Sequence, residues 1–487
     1  MICDAVNKLF PYFESYFQKF GNLSLLEIQR YFKSCRQNPS DAFVNACVKE
    51  AARLYGQTNA LLLKKALSIG SACYFANHGG FENHPQLIAS TLSACGYEAL
   101  EGAQIHPVFA CTSIGSYSPT VPAGMLSGRI EINFKRIKCQ FYSNKYRDTL
   151  LKNLPPLKKQ DIDKAMLQAK SKGFFKTEIA TFETIKTLLY AYKNYNIIDI
   201  GALFNTAAYS AFLPDNIANR ALFLDVDKIA TELLIEDLSN ENSFISIIIN
   251  NHEALKKILK DLSNVSGCWS SNLLFKNEID PKTCSGSVLF YELNQKGRKS
   301  PLKIIEKNNE FFLCGQKEIF KLTSDVLCQK LKSQEIIPCI YTLQTNLAFT
   351  HNLALTGGIF MRIYFEKMTT KSVEILKGYG YDYQNILNIQ PLTMVSSMPL
   401  PFLYREDIKE LTADPLAKIN QFHPLSLLDL FSFRMEKKNL EKIMSVKLNE
   451  CKYATACDLL LEYGSKEIIL DNLSEIIENR KQGILLN

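Results

Sequence analysis

The pattern of apolar and polar positions divides the chain into five stretches. Residues 1–68 carry helical spacing. Ser40 stands as a cap before DAFVNACVKEAARLYG, Gly56 ends that helix, and NALLLKKALSIG begins another. This stretch reads as a helical preface packed on the α/β unit that follows. Residues 69–150 switch to short apolar runs broken by small-residue loops. SACYFA reads as a strand, Pro85 opens a helix over 85–95, and IHPVFACTSIG reads as a second strand running into a loop. Two strands joined by a crossover helix predict a parallel βαβ unit with both following loops at one sheet edge. RIEINFKRIKCQFYS alternates as a strand or hairpin does.

Residues 151–284 read as mainly helical. Pro155-Pro156 marks a loop before KKQDIDKAMLQAK, and FKTEIATFETIKTLLYAY, ALFLDVDKIATELLIEDL and NHEALKKILKDL continue the helical pattern. Residues 285–404 open as a three-strand meander, with turns at Gln295-Lys296-Gly297 and Lys307-Asn308-Asn309, and continue into a second part of the α/β core. Residues 405–487 read as helical. The fold class expected is α/β: a Rossmann-like doubly wound core with a helical N-terminal preface, helical middle and C-terminal segments and a small β-meander.

A chain of 487 residues exceeds a typical single core, so about two or three structural units are expected. The net charge of +7 is spread over small lysine groups such as Lys158-Lys159, which speaks against a nucleic-acid partner but leaves room for a basic pocket. The fourteen cysteines are irregularly spaced and form no CxxC pair, so they read as reduced thiols in a cytoplasmic protein. The first residues lack the pattern of a secretory signal, and no run of about 18 uncharged apolar residues occurs, so no membrane partner is expected.

Candidate chemistry concentrates in four places. The loop 77–84 holds Asn77, His78, Glu82, Asn83 and His84 around Gly79-Gly80. Its histidines suit acid–base work, Glu82 could orient one of them, and Asn77 with free N–H groups of the glycine loop could stabilise developing negative charge. The bland reading is that these side chains cap the helix and satisfy loop backbone. A metal-dependent hydrolase built on His78, Glu82, His84 and His106 is a sharper alternative, although no HExxH pattern occurs. The second place is CTSIGSYSPTVPAG, where Thr112, Ser113 and Ser116 follow a strand and could leave N–H groups free for an anion. The third is Lys145 and Arg147, alternating in an extended segment as a possible carboxylate or phosphate clamp, with two solvated surface charges as the plain alternative. The fourth joins His351 with Thr356, Gly357, Gly358 and Arg362, the last about one turn into a following helix. Cys111 and Trp269 read as a buried thiol and a packing residue.

The middle of the chain resembles the cysteine ligase family of bacillithiol synthesis. The pieces that carry the likeness are Leu289-Phe290-Tyr291, Leu322-Thr323-Ser324 through Leu327, and Pro338-Cys339-Ile340-Tyr341. The order of the N-terminal strand–glycine loop and the later PVFACTS strand also agrees. Where that family has a "TGQQ" loop, this chain has Ala76-Asn77-His78-Gly79. Where it has "EDHD", this chain has Thr112-Ser113-Ile114-Gly115. The resemblance implies a doubly wound α/β core with helical additions and an activity that joins cysteine to an amino-sugar conjugate, with the altered loops pointing to a different substrate. The expectation is therefore a ligase- or transferase-like enzyme acting on a small polar, anionic metabolite, its cofactor unknown and a homodimer the assembly envisaged. His78 or His84 would be its acid–base group, and Asn77, Glu82 and His351 would complete the catalytic set. Gly79, Gly80, Asn83, Ser113, Ser116, Lys145, Arg147, Thr356, Gly357, Gly358 and Arg362 would contact substrate. A non-catalytic interaction or effector-type protein is the competing expectation.

Overall fold

The computed structural model describes residues 2–34, 38–68, 72–74, 77–102, 104–118, 120–131, 133–192, 195–214, 220–275, 285–356, 361–381, 403–406, 414–431, 434–480 and 484–485. The chain is mixed α/β, with sheets of two and three strands. Helices α1 (Ile2–Leu9), α2 (Phe13–Phe20), α3 (Leu25–Ser34), α4 (Asp41–Tyr55) and α5 (Gln57–Ser68) precede the first strand. The Ser40 hydroxyl accepts the Phe43 N–H, and Gly56, at φ +81°, ends α4 in a backbone conformation that glycine favours. Strand β1 (Ala72–Tyr74), helix α6 (Pro85–Leu100) and strand β2 (Ile105–Ala110) follow, then the antiparallel pair β3 (Gly124–Ile130) and β4 (Arg136–Gln140). Pro85 is the first residue of α6, where its missing N–H costs nothing.

Three helices, α7 (Lys159–Ser171), α8 (Lys176–Ala191) and α9 (Ile197–Phe212), lead into strand β5 (Arg220–Asp225). Helices α10 (Val226–Asp237), α11 (Phe244–Asn250) and α12 (His252–Asp261) come next. The meander region holds five short strands rather than three. These are β6 (Phe290–Leu293), β7 (Lys299–Pro301), β8 (Lys303–Lys307), β9 (Glu310–Cys314) and β10 (Ile319–Lys321). Leu302 interrupts the middle run, so β6 pairs with β7 on one side and β11 (Ile336–Pro338) on the other, while β8, β9 and β10 form a second sheet. Around β11 stand α13 (Ser324–Lys332) and α14 (Ile340–His351), and β12 (Ala354–Thr356) and α15 (Met361–Lys377) follow. The C-terminal part is not purely helical. It contains β13 (Leu403–Glu406), β14 (Phe422–Pro424) and β15 (Ile484–Leu485) as one small sheet among α16 (Pro415–Gln421), α17 (Lys437–Ser445), α18 (Lys452–Tyr463), α19 (Lys466–Asp471) and α20 (Leu473–Arg480).

The parallel strands position the site. β2 pairs with β5 over six residues, from Ile105 opposite Arg220 to Ala110 opposite Asp225. β1 pairs with β12, Ala72 opposite Ala354. Among the described residues, the parallel bridge of His78 to Cys111 links the two pairs. The expected direct neighbours β1 and β2 thus meet at this bridge, while each finds its ladder partner much later in the chain. Strand β5 corrects the helical reading of ALFLDVDKIATELLIEDL. Its first residues form a strand, and only from Val226, capped by Asp225, does the helix begin. Alternate residues of β2 and β5 enter two different cores. Val108, Ala221 and Phe223 join one, with α6, α9 and the C-terminal helices. Ile105, Phe109, Leu222 and Leu224 join the other, with α10–α15 and the meander. A strand buried on both faces has no polar face, so its apolar run carries no period that separates strand from helix.

Candidate functional site

The loop 77–84 is an internal tie rather than an open cradle. The Gly79 N–H donates to the Cys111 carbonyl, the Phe81 N–H to the Pro122 carbonyl, and the Glu82 N–H to Asn205 Oδ1. These donors are not available for an external anion. Asn83 Nδ2 spans three carbonyls, those of Phe81, Val121 and Gly124, at 2.8–3.1 Å. The Glu82 carboxyl points into the core, where it accepts from Asn77 Nδ2, the Thr91 hydroxyl and the Tyr209 hydroxyl. Burial pushes its pKa up to about 8. Glu82 therefore orients no histidine.

Glycine is required where the loop meets helix α9. Gly80 has a φ of +82°, and a Cβ on Gly201 would lie 2.3 Å from the Gly80 carbonyl carbon. Gly201→Ala is accordingly expected to cost about 1–3 kcal/mol or more in urea unfolding through overpacking. A midpoint unchanged from the parent would show that this approach is not tight.

The two histidines of the loop are also engaged. His78 Nδ1 lies 2.6 Å from the Thr120 hydroxyl, and burial lowers its pKa to about 4, so the ring is neutral near pH 7. His84 caps α6 without a side-chain bond to it and pairs instead with Glu462 at 3.1 Å. Glu462 also receives Arg136, Arg136 reaches Asp458 at 3.6 Å, and Asp458 meets Arg480 at 3.2 Å. Burial alone would raise Glu462, but His84 and Arg136 hold it below the usual carboxylate range. This buried network fastens α6 and β4 to α18 and α20.

His351 belongs elsewhere. Its Nε2 lies 2.8 Å from Asp237 Oδ2 and its Nδ1 lies 2.8 Å from the Ser40 hydroxyl, so it joins α4, α10 and α14. Because β1 and β12 run parallel and His351 precedes β12, it lies off the opposite end of the strands from loop 77–84. The structure does not bring His351 together with His78. Thr356 closes β12 opposite Tyr74, on the loop's side of the pair. Gly357 and Gly358 lie outside the described residues, and Arg362 is the second residue of α15 rather than a turn into it. The metal alternative also disperses. His106 is near the start of β2, about 16 Å along the strand from Cys111 at about 3.3 Å per residue. Among the described residues, no group of three or more His, Cys, Asp or Glu could hold a metal ion.

What the carboxyl ends of β2 and β5 bring together is a different set. Asp225 caps α10, accepting the Lys228 N–H at 3.0 Å and the Thr112 hydroxyl at 2.7 Å on Oδ1. Asp227 Oδ2 accepts the backbone N–H groups of Thr112 and of Ser113, the latter at 2.7 Å. The N–H groups expected to meet an anion thus already bind an internal carboxylate. Burial, with Asp227 beside it, pushes Asp225 up to about 7. Two lysines feel the charge of Asp227, and Lys152 feels that of Asp225 as well. Lys152 sits in a 3-10 turn over Leu151–Asn153, and Lys299 opens β7. Lys299 is exposed as a residue, but its ammonium stands 4.8 Å from the Tyr291 ring centroid and 3.1 Å from the Ser113 carbonyl. Burial lowers both lysine pKa values, and the charge of Asp227 opposes that shift in each. Neither makes an ion pair among the described residues. Partly desolvated ammonium groups without a contacting carboxylate are stabilised by an arriving anion.

Ser116 is buried, its hydroxyl on the Tyr146 carbonyl at 2.7 Å, and it tethers the loop to the segment 144–151. Lys145 and Arg147 do not alternate along a strand. Asn144–Tyr146 is a 3-10 turn, and both side chains are exposed. Cys111 is a partly buried thiol whose pKa burial raises, and Trp269 packs in the core with its Nε1–H on the Leu259 carbonyl. The eleven cysteines whose side chains are described are all free thiols.

Sequence reasoning missed Asp225, Asp227, Lys152 and Lys299. A signal for the aspartates existed: Asp225-Val226-Asp227 directly follows an apolar run, as a capping residue should. The lysines had none, since a single lysine in a turn or hairpin looks like any surface charge. No helix among the described residues is long and apolar enough to cross a membrane. No family model, no curated protein and no solved structure matches the chain.

Proposed function

We propose that this chain is an enzyme of ligase or transferase type that acts on a small polar, anionic metabolite, with its centre at the carboxyl rim of β2 and β5. The observation that carries the reading is Lys299, its ammonium on the Ser113 carbonyl while the Ser113 N–H donates to Asp227, with Lys152 also under the charge of Asp225 and Asp227 at the end of two parallel strands. Ligands of α/β proteins gather outside the carboxyl ends of parallel strands. In this reading the two ammonium groups hold a carboxylate or phosphate of the substrate. Asp225, with a pKa near neutrality and a fixed bond from Thr112, takes a proton from the attacking group or gives one to the leaving group. His78, bridged to Cys111 on the same rim, supplies a neutral imidazole next to it. The reading includes a Rossmann-like, doubly wound organisation in which the His78–Cys111 bridge joins the two parallel pairs. From the cysteine ligase resemblance it takes architecture and reaction class, not the substrate.

The test is a thermal-shift screen of amino acids, hydroxy acids and amino sugars, each with and without ATP, on the full chain. A ligand at 100 times its Kd is expected to add about 2.7 kcal/mol. Lys152→Gln and Lys299→Gln should each abolish that shift, and Asp225→Asn should keep it while losing turnover. If no anionic metabolite stabilises the parent, or both lysine variants respond as the parent does, the reading fails.

A further inference from the structure

Beside this rim lies a concavity of about 740 Å³, between the segment 145–153, the β6–β7 turn and the loops at 317 and 334–335. Four cationic side chains line it, Lys145, Lys296, Arg298 and Lys317, against one carboxylate, Glu335. That carboxylate is engaged with others: Lys330 lies at 2.9 Å and the Ser333 hydroxyl at 2.7 Å. None of the four cations makes an ion pair among the described residues. Lys145 stands over the Tyr146 ring, and Lys317 Nζ donates to the Leu293 carbonyl. Arg298 gives one Nη2–H to the Lys145 carbonyl at 3.1 Å, while its Nε is buried without a hydrogen-bond partner.

The walls are fixed in place. Gly297, at φ +67°, lets the turn approach so closely that a Cβ there would lie 2.4 Å from Asn153 Cβ. Its carbonyl accepts the Leu150 N–H at 3.0 Å and Asn153 Nδ2 at 3.2 Å. On the far side, the buried Glu292 carboxylate accepts the Gln316 and Lys317 N–H groups and holds that loop. Four like charges held on rigid walls repel one another and call for a multiply charged anion. An orphaned guanidinium N–H beside them calls for an oxygen acceptor with fixed geometry. The amide side chains of Asn294, Gln295 and Gln334 on the same walls suit hydroxyl groups. The volume is that of a small-molecule site.

We propose that this groove binds the phosphate of a phosphorylated small molecule of nucleotide or sugar-phosphate size. It is separate from the Lys152–Lys299 rim, whose residues do not line it, and it stands whether or not the rim is catalytic.

Calorimetric titration of the full chain with pyrophosphate, ATP and a short single-stranded RNA tests it. Pyrophosphate and ATP are expected to bind, with affinity falling as salt rises. Lys296→Gln, whose side chain bonds to nothing described, should weaken binding at least tenfold without moving the ligand-free melting temperature, and Arg298→Gln should weaken it at least tenfold as well. Lys299→Gln and Lys152→Gln should bind both anions as the parent does. If the rim variants lose the anions and the groove variants keep them, the phosphate site is the rim and the groove assignment is overturned. It is overturned equally if neither anion binds at millimolar concentration, or if RNA binds more tightly than ATP.

Discussion

Asp458→Ala is expected to remove about 3–5 kcal/mol of unfolding free energy, because it breaks the fully buried ion pair between Asp458 and the Arg480 guanidinium. Arg480 Nη1 also donates to the Ile419 carbonyl, at 2.7 Å. Burial already lowers its pKa, so the side chain is costly even when paired. The double replacement Asp458→Leu with Arg480→Met should recover most of the loss, since it removes both charges at once. Arg136 would not be orphaned by either change, because Glu462 holds it at 3.1 Å. Urea unfolding of the parent and the two variants gives the answer. A loss below about 1 kcal/mol for the single change, the size of an exposed ion pair, would contradict the buried network.

That network shows what the sequence of the polar loop 77–84 does not reveal. Local sequence reveals what the backbone does: Ser40 before α4, Pro85 at the start of α6 and the alternating RIEINFKRIKCQFYS all became the elements their chemistry predicts. It does not reveal whether a polar side chain faces water or the interior. His84 is explained by Glu462 on a helix near the far end of the chain, and Glu82 by Tyr209 on α9. Each partner is distant in sequence, so nothing local marks His84 and Glu82 as ties between layers. The converse error hid the rim. ALFLD is apolar on both faces, and a strand of that kind is written like a helix segment, so the aspartates at its end passed as a helix's own charges. The same blindness applies to Lys152 and Lys299. Their significance is the low-polarity surroundings of two ammonium groups, which is a property of packing and not of spacing.

The buried Glu82 also fixes the direction in which stability responds to pH. Its folded pKa of about 8 stands above its ordinary value of 4.5, so the neutral form is favoured by the fold. The stability it contributes is present in full below about pH 4.5 and is lost as pH rises through about 8, at most about 5 kcal/mol across that window. Geometry agrees with a neutral group, since the Tyr209 hydroxyl can turn from donor to acceptor when Glu82 carries the proton. Glu178, raised by burial and by Asp429 beside it, and Asp225 shift in the same sense. Glu462 shifts in the other, so its share is lost only as pH falls below its ordinary range. The chain is therefore expected to unfold at higher urea concentration at pH 5.5 than at pH 8. Glu82→Gln should flatten much of that slope: the Gln Oε1 still accepts from Asn77 and Thr91, and its Nε2 donates to the Tyr209 oxygen. A parent more stable at pH 8 than at pH 5.5, or a Glu82→Gln variant with the parent's slope, would mean that this carboxyl is ionised in the folded protein.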